Sequence, residues 1–232
     1  MPRSASKRRT CRNKKERPSG RFFYPHCRCG LVVALLLAAS AASGQVTVSK
    51  TLLDPEVDAI VIDGRQCFDI GLETAPTREV SVEARMEGEY EADILVRTER
   101  MGNTLFIGTG LSPGFQFPND KLGAHKVVSI RLRVVLPEHQ KVSVHAGQCQ
   151  VRTSGVYREL TVRVNDGGCL LEHQAEHTDV RTLSAPITAR VEDGIIEASS
   201  RYGEVHLDPV PAGTPRLLLR TTRGDIRVVH NP

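Results

Sequence analysis

The sequence predicts an all-β protein whose C-terminal half stacks short, Gly-punctuated strands as a β-solenoid. Three observations carry that expectation. Trp is absent and aromatic residues make up 4% of the 232 residues, while Val, Ile, Leu and Thr, which suit a pleated surface, dominate the chain after its first segment. Apolar and polar residues alternate with period two between Gly, Pro and Asn breaks. A Gly motif then recurs roughly every 18–21 residues, as a solenoid of two-strand turns requires.

Residues 1–44 read as a leader. Positions 1–29 are rich in Arg and Lys, and Leu31-Val-Val-Ala-Leu-Leu-Leu-Ala-Ala-Ser-Ala-Ala-Ser-Gly44 follows as an apolar run with a small-residue exit. A basic segment, a short apolar run and small residues make a secretory signal. A spanning helix needs about 20 apolar residues, more than this run supplies. A cut before Gln45 or after Ala42 fits, and an uncleaved anchor is the other reading. The basic segment is long, either a tethering extension or the mark of a start placed too early, yet no Met lies between Met1 and Met86. No Cys stands at the exit of the apolar run, so a lipid anchor is not expected; Cys27 and Cys29 precede it. The leader also holds 10 of the 31 basic side chains and a single acidic one, whereas residues 45–232 hold 21 basic and 26 acidic. The formal charge of +4 therefore belongs to the leader and gives no warrant for nucleic-acid binding.

Residues 45–137 form an N-terminal β region. Ala59-Ile-Val-Ile-Asp63, Glu79-Val-Ser-Val-Glu-Ala-Arg85, Asp93-Ile-Leu-Val-Arg97, Thr104-Leu-Phe-Ile-Gly108 and Lys126-Val-Val-Ser-Ile-Arg-Leu-Arg-Val-Val-Leu136 all alternate, and the last stops at Pro137. Between Gly108 and Gly123, Leu111-Ser-Pro-Gly-Phe-Gln-Phe-Pro-Asn-Asp120 reads as a turn-rich loop long enough to carry function.

Residues 138–232 form the Gly-repeat region and read as continuous with the first, one domain 45–232. The motifs are Gly147-Gln-Cys-Gln-Val151, Gly167-Gly-Cys-Leu-Leu171, Gly203-Glu-Val-His-Leu207 and Gly224-Asp-Ile-Arg-Val228, with Gly194-Ile-Ile-Glu-Ala198 shifted. Strands without Gly lie between them: Glu159–Val164, Asp179–Thr182, Ile187–Val191 and Arg216–Arg220. Gly supplies positive φ at a corner, and Asn165-Asp166-Gly167 and Asp193-Gly194 are turn pairs. Alternation points Val142, Val144, Cys149, Val151, Leu160, Val162, Val164, Cys169, Leu171, Val180, Ile187, Ala189, Val205, Leu207, Ile226 and Val228 inward. Such an array is stable only as a stack. An antiparallel sandwich with tight hairpins is the competing architecture; a repeat phased on one Gly position fits turns of a solenoid better.

The Gly-x-[Val/Ile/Cys]-x-[Val/Leu] cadence, with Ala59-Ile-Val-Ile-Asp-Gly64, Asn103-Thr-Leu-Phe-Ile107 and Leu136-Pro137, resembles the auto-transporter adhesin family with a head GIN domain and its adhesin-like relatives. The resemblance covers most of the chain after the leader, through motifs that any β-solenoid shares. It implies a bacterial envelope location and a right-handed β-helical fold; the pattern of strands and glycines reads as a single-stranded solenoid, less regular in the N-terminal half. It brings no catalytic residues.

Candidate chemistry is sparse. His173-Gln-Ala-Glu176-His177 matches the His-x-x-Glu-His pattern of inverted zinc proteases, which needs a helix to set both imidazoles one turn apart. On an extended chain the two His would share a face about 13 Å apart, too far for one zinc. A chance metal site could instead join them to His145 or His206 on neighbouring turns. After the leader three cysteines remain, an odd number: Cys67, Cys149 and Cys169. Cys149 and Cys169 hold the same place in successive Gly motifs and would stack about 4.8 Å apart, within reach of a disulfide; small interior side chains are the plainer reading. Asp54, Glu56, Asp58, Asp63 and Asp69 gather in one segment, but the Gly and bidentate Glu of a calcium loop are missing. No phosphate loop, Gly-x-Ser-x-Gly elbow or dinucleotide fingerprint is present.

The expected function follows. No catalytic, cofactor-binding or metal-binding residue is assigned, and no cofactor is expected. The chain reads as an exported, non-enzymatic envelope protein with an adhesin-like or structural role, located in the periplasm, at the outer membrane or outside the cell. It would bind a cell-surface glycan or envelope protein through an exposed sheet face or the 111–120 loop, with no nucleic-acid partner. It would touch a membrane only through an uncleaved leader. A periplasmic sensor serving a membrane signalling component is the second reading, and a small glycan-active β-helix enzyme the third. Pro209, Pro211, Pro215 and Asn231-Pro232 would blunt the open end of the stack against edge pairing.

Overall fold

The computed structural model describes residues 46–87, 94–111 and 129–231; the leader and positions 112–120 of the turn-rich loop lie outside these. The described residues are all-β, with no helix. Thirteen strands follow in chain order: β1 (Val46–Leu52), β2 (Ala59–Gly64), β3 (Cys67–Ala75), β4 (Glu79–Glu87), β5 (Ile94–Met101), β6 (Thr104–Leu111), β7 (Ser129–Pro137), β8 (Lys141–Thr182), β9 (Ile187–Val191), β10 (Ile195–Ser200), β11 (Val205–Leu207), β12 (Arg216–Thr221) and β13 (Ile226–His230). They join in one mixed sheet.

The long β8 shows how the repeat works. Its inward positions recur every 18 residues: Val142, Leu160 and Thr178; Val144, Val162 and Val180; Ala146, Val164 and Thr182, all buried. The same step relates Val151, Cys169 and Ile187, and then Thr153, Leu171 and Ala189, also buried. Backbone bonds fix this register. Arg158 N–H donates to Gln140 O at 3.1 Å, and Ser184 N–H donates to Asn165 O at 2.8 Å. Cys169 pairs with Ile187 in parallel. Each turn thus lays its inner side chains directly on those of the next, and each fully buried Val, Leu or Ile contributes roughly 1.5–3 kcal/mol.

Two strips of parallel strands run through the stack. The first takes β6, β2, the successive 141–146, 160–164 and 177–182 segments of β8, then β12 and β10. The second takes β7, β3, the 150–154 and 169–171 segments of β8, then β9, β13 and β11. Antiparallel pairs finish one end: β1 on β4, β4 on β7, and β5 on β6. All three antiparallel pairs lie before β8 in the chain.

Spatial order departs from chain order at both ends. The 59–75 turn sits between β6–β7 and the start of β8. At the other end the last turn, β12–β13, inserts between β8–β9 and the earlier β10–β11. The stack is therefore not the simple single-stranded succession that the sequence suggested.

The register also corrects the Gly alignment. Aligning Gly147 with Gly167 spaces the motifs by 20, whereas the turn is 18. An error of two keeps side-chain parity, so the inward residues are read rightly while their vertical neighbours are not. Cys149, not Gly147, lies beneath Gly167: a Cβ on Gly167 would stand 2.2 Å from Cys149 O, and Gly167 has φ of 110°. Cys149 and Cys169 are therefore not stacked on each other, and Cys67, Cys149 and Cys169 are all free and buried. Val205 and Leu207 are the other correction. Their partners Ile226 and Val228 are buried, yet they are 38% and 49% exposed, because among the described residues β11 ends the stack and no further turn covers it. The Pro-rich 208–215 link makes backbone bonds to the start of β10. Gly194 N–H donates to Pro211 O (3.0 Å) and Ile195 N–H to Pro215 O (2.7 Å), so the link anchors the start of β10.

Candidate functional site

The outward faces of the two strips carry the polar chemistry. On the second strip a bulge between Cys67 and Asp69 shifts the register, so that Cys67 and Ile70 both point inward and Asp69 turns out. Bulges commonly re-aim a side chain in this way. Asp69 then accepts from Arg131 Nε (3.0 Å) on β7 and from Arg152 Nη2 (2.9 and 2.8 Å) on β8. Its side chain is 9% exposed, so the carboxylate cross-braces three adjacent strands with charge-assisted bonds. Arg131 also lies over the Phe68 ring, 5.4 Å from its centroid.

Two residues on, Gly71 leaves a gap. It pairs with Arg133 on one side and Arg152 on the other, and no atom lies within 4 Å of where its Cβ would stand. Arg133 is held to Glu73 at 3.0 Å. The result is an open hollow of about 380 Å³, floored by Gly71 and rimmed by Arg131, Arg133, Arg152, Asp69 and Glu73, with Glu172 at one margin. It offers guanidinium donors and carboxylate acceptors at fixed positions, suited to a polar ligand held by several hydrogen bonds. The sequence signal was present in Ile130-Arg-Leu-Arg-Val134, where alternation sets two Arg on one face. Arg152 and Gly71 join them only through the register.

Of the candidates that the sequence singled out, Asp69 stands at the hollow and the other described ones fall elsewhere; the 112–120 stretch of the expected binding loop is outside the described residues. His173 and His177 do not share a face. His173 points into the stack, where Thr153 Oγ1 lies 2.8 Å from Nδ1 and Thr178 Oγ1 lies 2.9 Å from Nε2; the Tyr157 ring packs edge-on at 5.4 Å. Burial pushes its pKa down to about 4. His177 is exposed, because the chain turns a corner between them and the alternation slips. Among the described residues no group of three or more His, Cys, Asp and Glu is placed to hold a metal. The acidic segment is dispersed among bases: Asp54 and Glu56 both grip Arg100, Asp58 accepts from Asn103 at 3.1 Å, and Asp63 pairs with Arg65 at 2.5 Å. The Arg65 bond pulls the Asp63 carboxyl below its usual range. Burial pushes the thiols up, Cys67 to about 11, Cys149 and Cys169 to about 12. They are packing groups rather than nucleophiles.

No family model and no curated protein matches the chain. Among solved structures, it is similar to a provisionally named cell adhesion protein of Clostridium sporogenes. The TM-score is 0.56 at 11% identity, covering 81% of this chain and 100% of that one. A provisionally named adhesin of Bacteroides fragilis aligns with a TM-score of 0.36 at 12% identity, over 81% of this chain and 98% of that one. A protein of Parabacteroides distasonis provisionally named as lipid-binding aligns at 0.26 and 10% identity, over 81% and 98%. The first of these shares the fold over the full length of its own chain.

Proposed function

We propose that this chain is an exported, non-enzymatic envelope protein that presents an adhesin-like binding surface on a right-handed β-solenoid scaffold. Right-handedness is the rule for parallel strand crossovers, at about 98%. The observation that carries the binding role is the Gly71 hollow. Asp69 braces Arg131 and Arg152 across three strands, which holds polar groups rigidly around an empty floor. Rigid placement lowers the ordering cost of binding. The likeness in fold to the Clostridium cell adhesion protein supports the same reading, and the leader sequence supports export.

The test is a printed panel of neutral and acidic oligosaccharides probed with the purified chain. Retention of at least one glycan class is expected, weakened about tenfold by Gly71→Leu, which fills the floor. Release of sugar from any panel member, abolished by Asp69→Asn or Glu73→Gln, would overturn the non-enzymatic reading. N-terminal sequencing of exported material should begin near Gln45; a chain retaining residues 1–44 would make it anchored.

A further inference from the structure

The outward face of the first strip carries a second feature, independent of the hollow. Arg181 on β8 pairs in register with Arg220 on β12. The 18-residue step places Arg163 beneath Arg181 and His145 beneath Arg163, and His145 pairs with Asp63. Four basic-type side chains thus stand in one column across adjacent strands, about 4.8 Å apart at the backbone. His145, Arg181 and Arg220 are exposed and Arg163 is half-buried.

Like charges directly opposite each other destabilise a sheet, and several charges of this molecule are met by an opposite one on the neighbouring strand or turn. Lys141 meets Glu159 at 2.7 Å one turn on, Arg190 meets Glu172, and Arg133 meets Glu73. In the column, Arg181 meets Asp179 on its own strand at 3.0 Å, and His145 at one end lies in register with Asp63. Arg163 and Arg220 form no ion pair among the described residues. This concentration of positive charge lies on a chain with an acidic excess after residue 44.

We propose that the His145–Arg163–Arg181–Arg220 column binds a linear acidic polysaccharide, with carboxylates recurring along the polymer meeting successive guanidinium groups. The inference rests on the binding-protein reading above but uses a different face and names the ligand class. A repeat of cations at fixed spacing matches a repeat of anions, and each turn adds one contact to a single ligand, so affinity grows with polymer length. Single-stranded nucleic acid is the poorer match. Its binding sites stack bases on aromatic rings, and no Phe, Tyr or Trp stands in this column.

The experiment uses the full chain with oligogalacturonates of increasing length, neutral dextran and a single-stranded oligodeoxynucleotide. Binding is measured against salt. Affinity should rise with oligogalacturonate length, dextran should not bind, and the oligodeoxynucleotide should bind more weakly. Arg163→Gln with Arg220→Gln should weaken the longest oligomer by about tenfold or more. The slope of log affinity against log salt should fall by roughly one for each Arg removed. Neither substitution breaks an ion pair, so the melting temperature should hold. Arg133→Gln, at the hollow, should leave oligogalacturonate binding unchanged. The proposal fails if the double variant binds as the parent does, if galacturonate monomer binds as tightly as the oligomers, or if dextran or the oligodeoxynucleotide binds as well. Oligogalacturonate binding lost in Arg133→Gln and kept in the double variant would assign the glycan to the hollow instead. Loss of the column effect with the Gly71→Leu effect intact leaves the adhesin-like reading standing.

Discussion

The three turns between Lys141 and Val191 succeed one another in space as they do in sequence, whereas the turns at either end do not. In the centre, short corners deliver each strand onto the one before it, and the 18-residue step stays constant. At the C-terminal end the chain runs past the vacant layer, builds β10 and β11 outermost, and returns through 208–215 to place β12 and β13 beneath them. The C-terminal strand is thereby an interior layer: β13 pairs with β9 on one side and β11 on the other, and Asn231 N–H donates to Val191 O at 2.9 Å. The earlier-made turn is the exposed one. Position along the chain is thus a poor guide to burial at the ends of this stack and a good one in its middle.

Substitutions can press on that difference. The largest effect is expected in the centre, at the corner where Gly167 lies over Cys149. Gly167→Ala combines a left-handed φ with a backbone clash and should cost on the order of 4 kcal/mol. Gly71→Ala, in open space, should change stability by less than about 1 kcal/mol. Equal chemical-denaturation midpoints for the two would break the assigned register. Next come the ends. Leu219→Ala on the interior β12, fully buried, should cost about 3 kcal/mol, and Leu207→Ala on the outermost β11 less than about 1 kcal/mol. If Leu207 proved the costlier, the swapped order of the last two turns would be wrong.

A third measurement follows stability against pH. His173 is neutral in the fold because burial depresses its pKa to about 4 from 6.5. The unfolded chain therefore binds the extra proton first as pH falls. Stability from this group is full above about pH 6.5 and lost progressively down to about pH 4, by no more than about 3 kcal/mol. His173→Phe should flatten that stretch of the profile while lowering stability at neutral pH, since Thr153 and Thr178 lose their partner. An unchanged profile would place His173 outside the core. The smallest effect concerns the thiols. Cys67, Cys149 and Cys169 are buried with raised pKa values, so a thiol reagent at about pH 8 should leave these three unlabelled in the native chain and label them after denaturation. A native mass two daltons light would reveal a bridge instead.

Much of the fold was legible in the sequence because alternation reports which way a side chain points. Val142, Val144, Leu160, Val162, Ile187 and Ala189 are all placed inward by parity alone, and all are buried. Parity survives a register error of two, which is why the mistaken Gly147–Gly167 alignment did no harm to the core and yet misplaced Cys149 relative to Cys169. Val205 and Leu207 show the limit: their direction was right, but burial also needs a layer above, and layer order is not written in alternation. His173 shows another. A corner interrupts the strand after it, and an alternating count carried across that corner loses phase.

The sequence by itself determined the all-β class and the inward direction of the repeat positions, because these depend on composition and on contacts within a few residues along the chain. The tertiary structure alone decided which turn lies on which. That choice brings Gly71 between Arg133 and Arg152, lifts Asp69 through a bulge to brace two guanidinium groups, and aligns Arg163, Arg181 and Arg220 in one column. Vertical neighbours in a parallel stack are 18 or more residues apart in sequence. Their meeting is set by corner geometry and by the order in which layers close, and no local pattern encodes either.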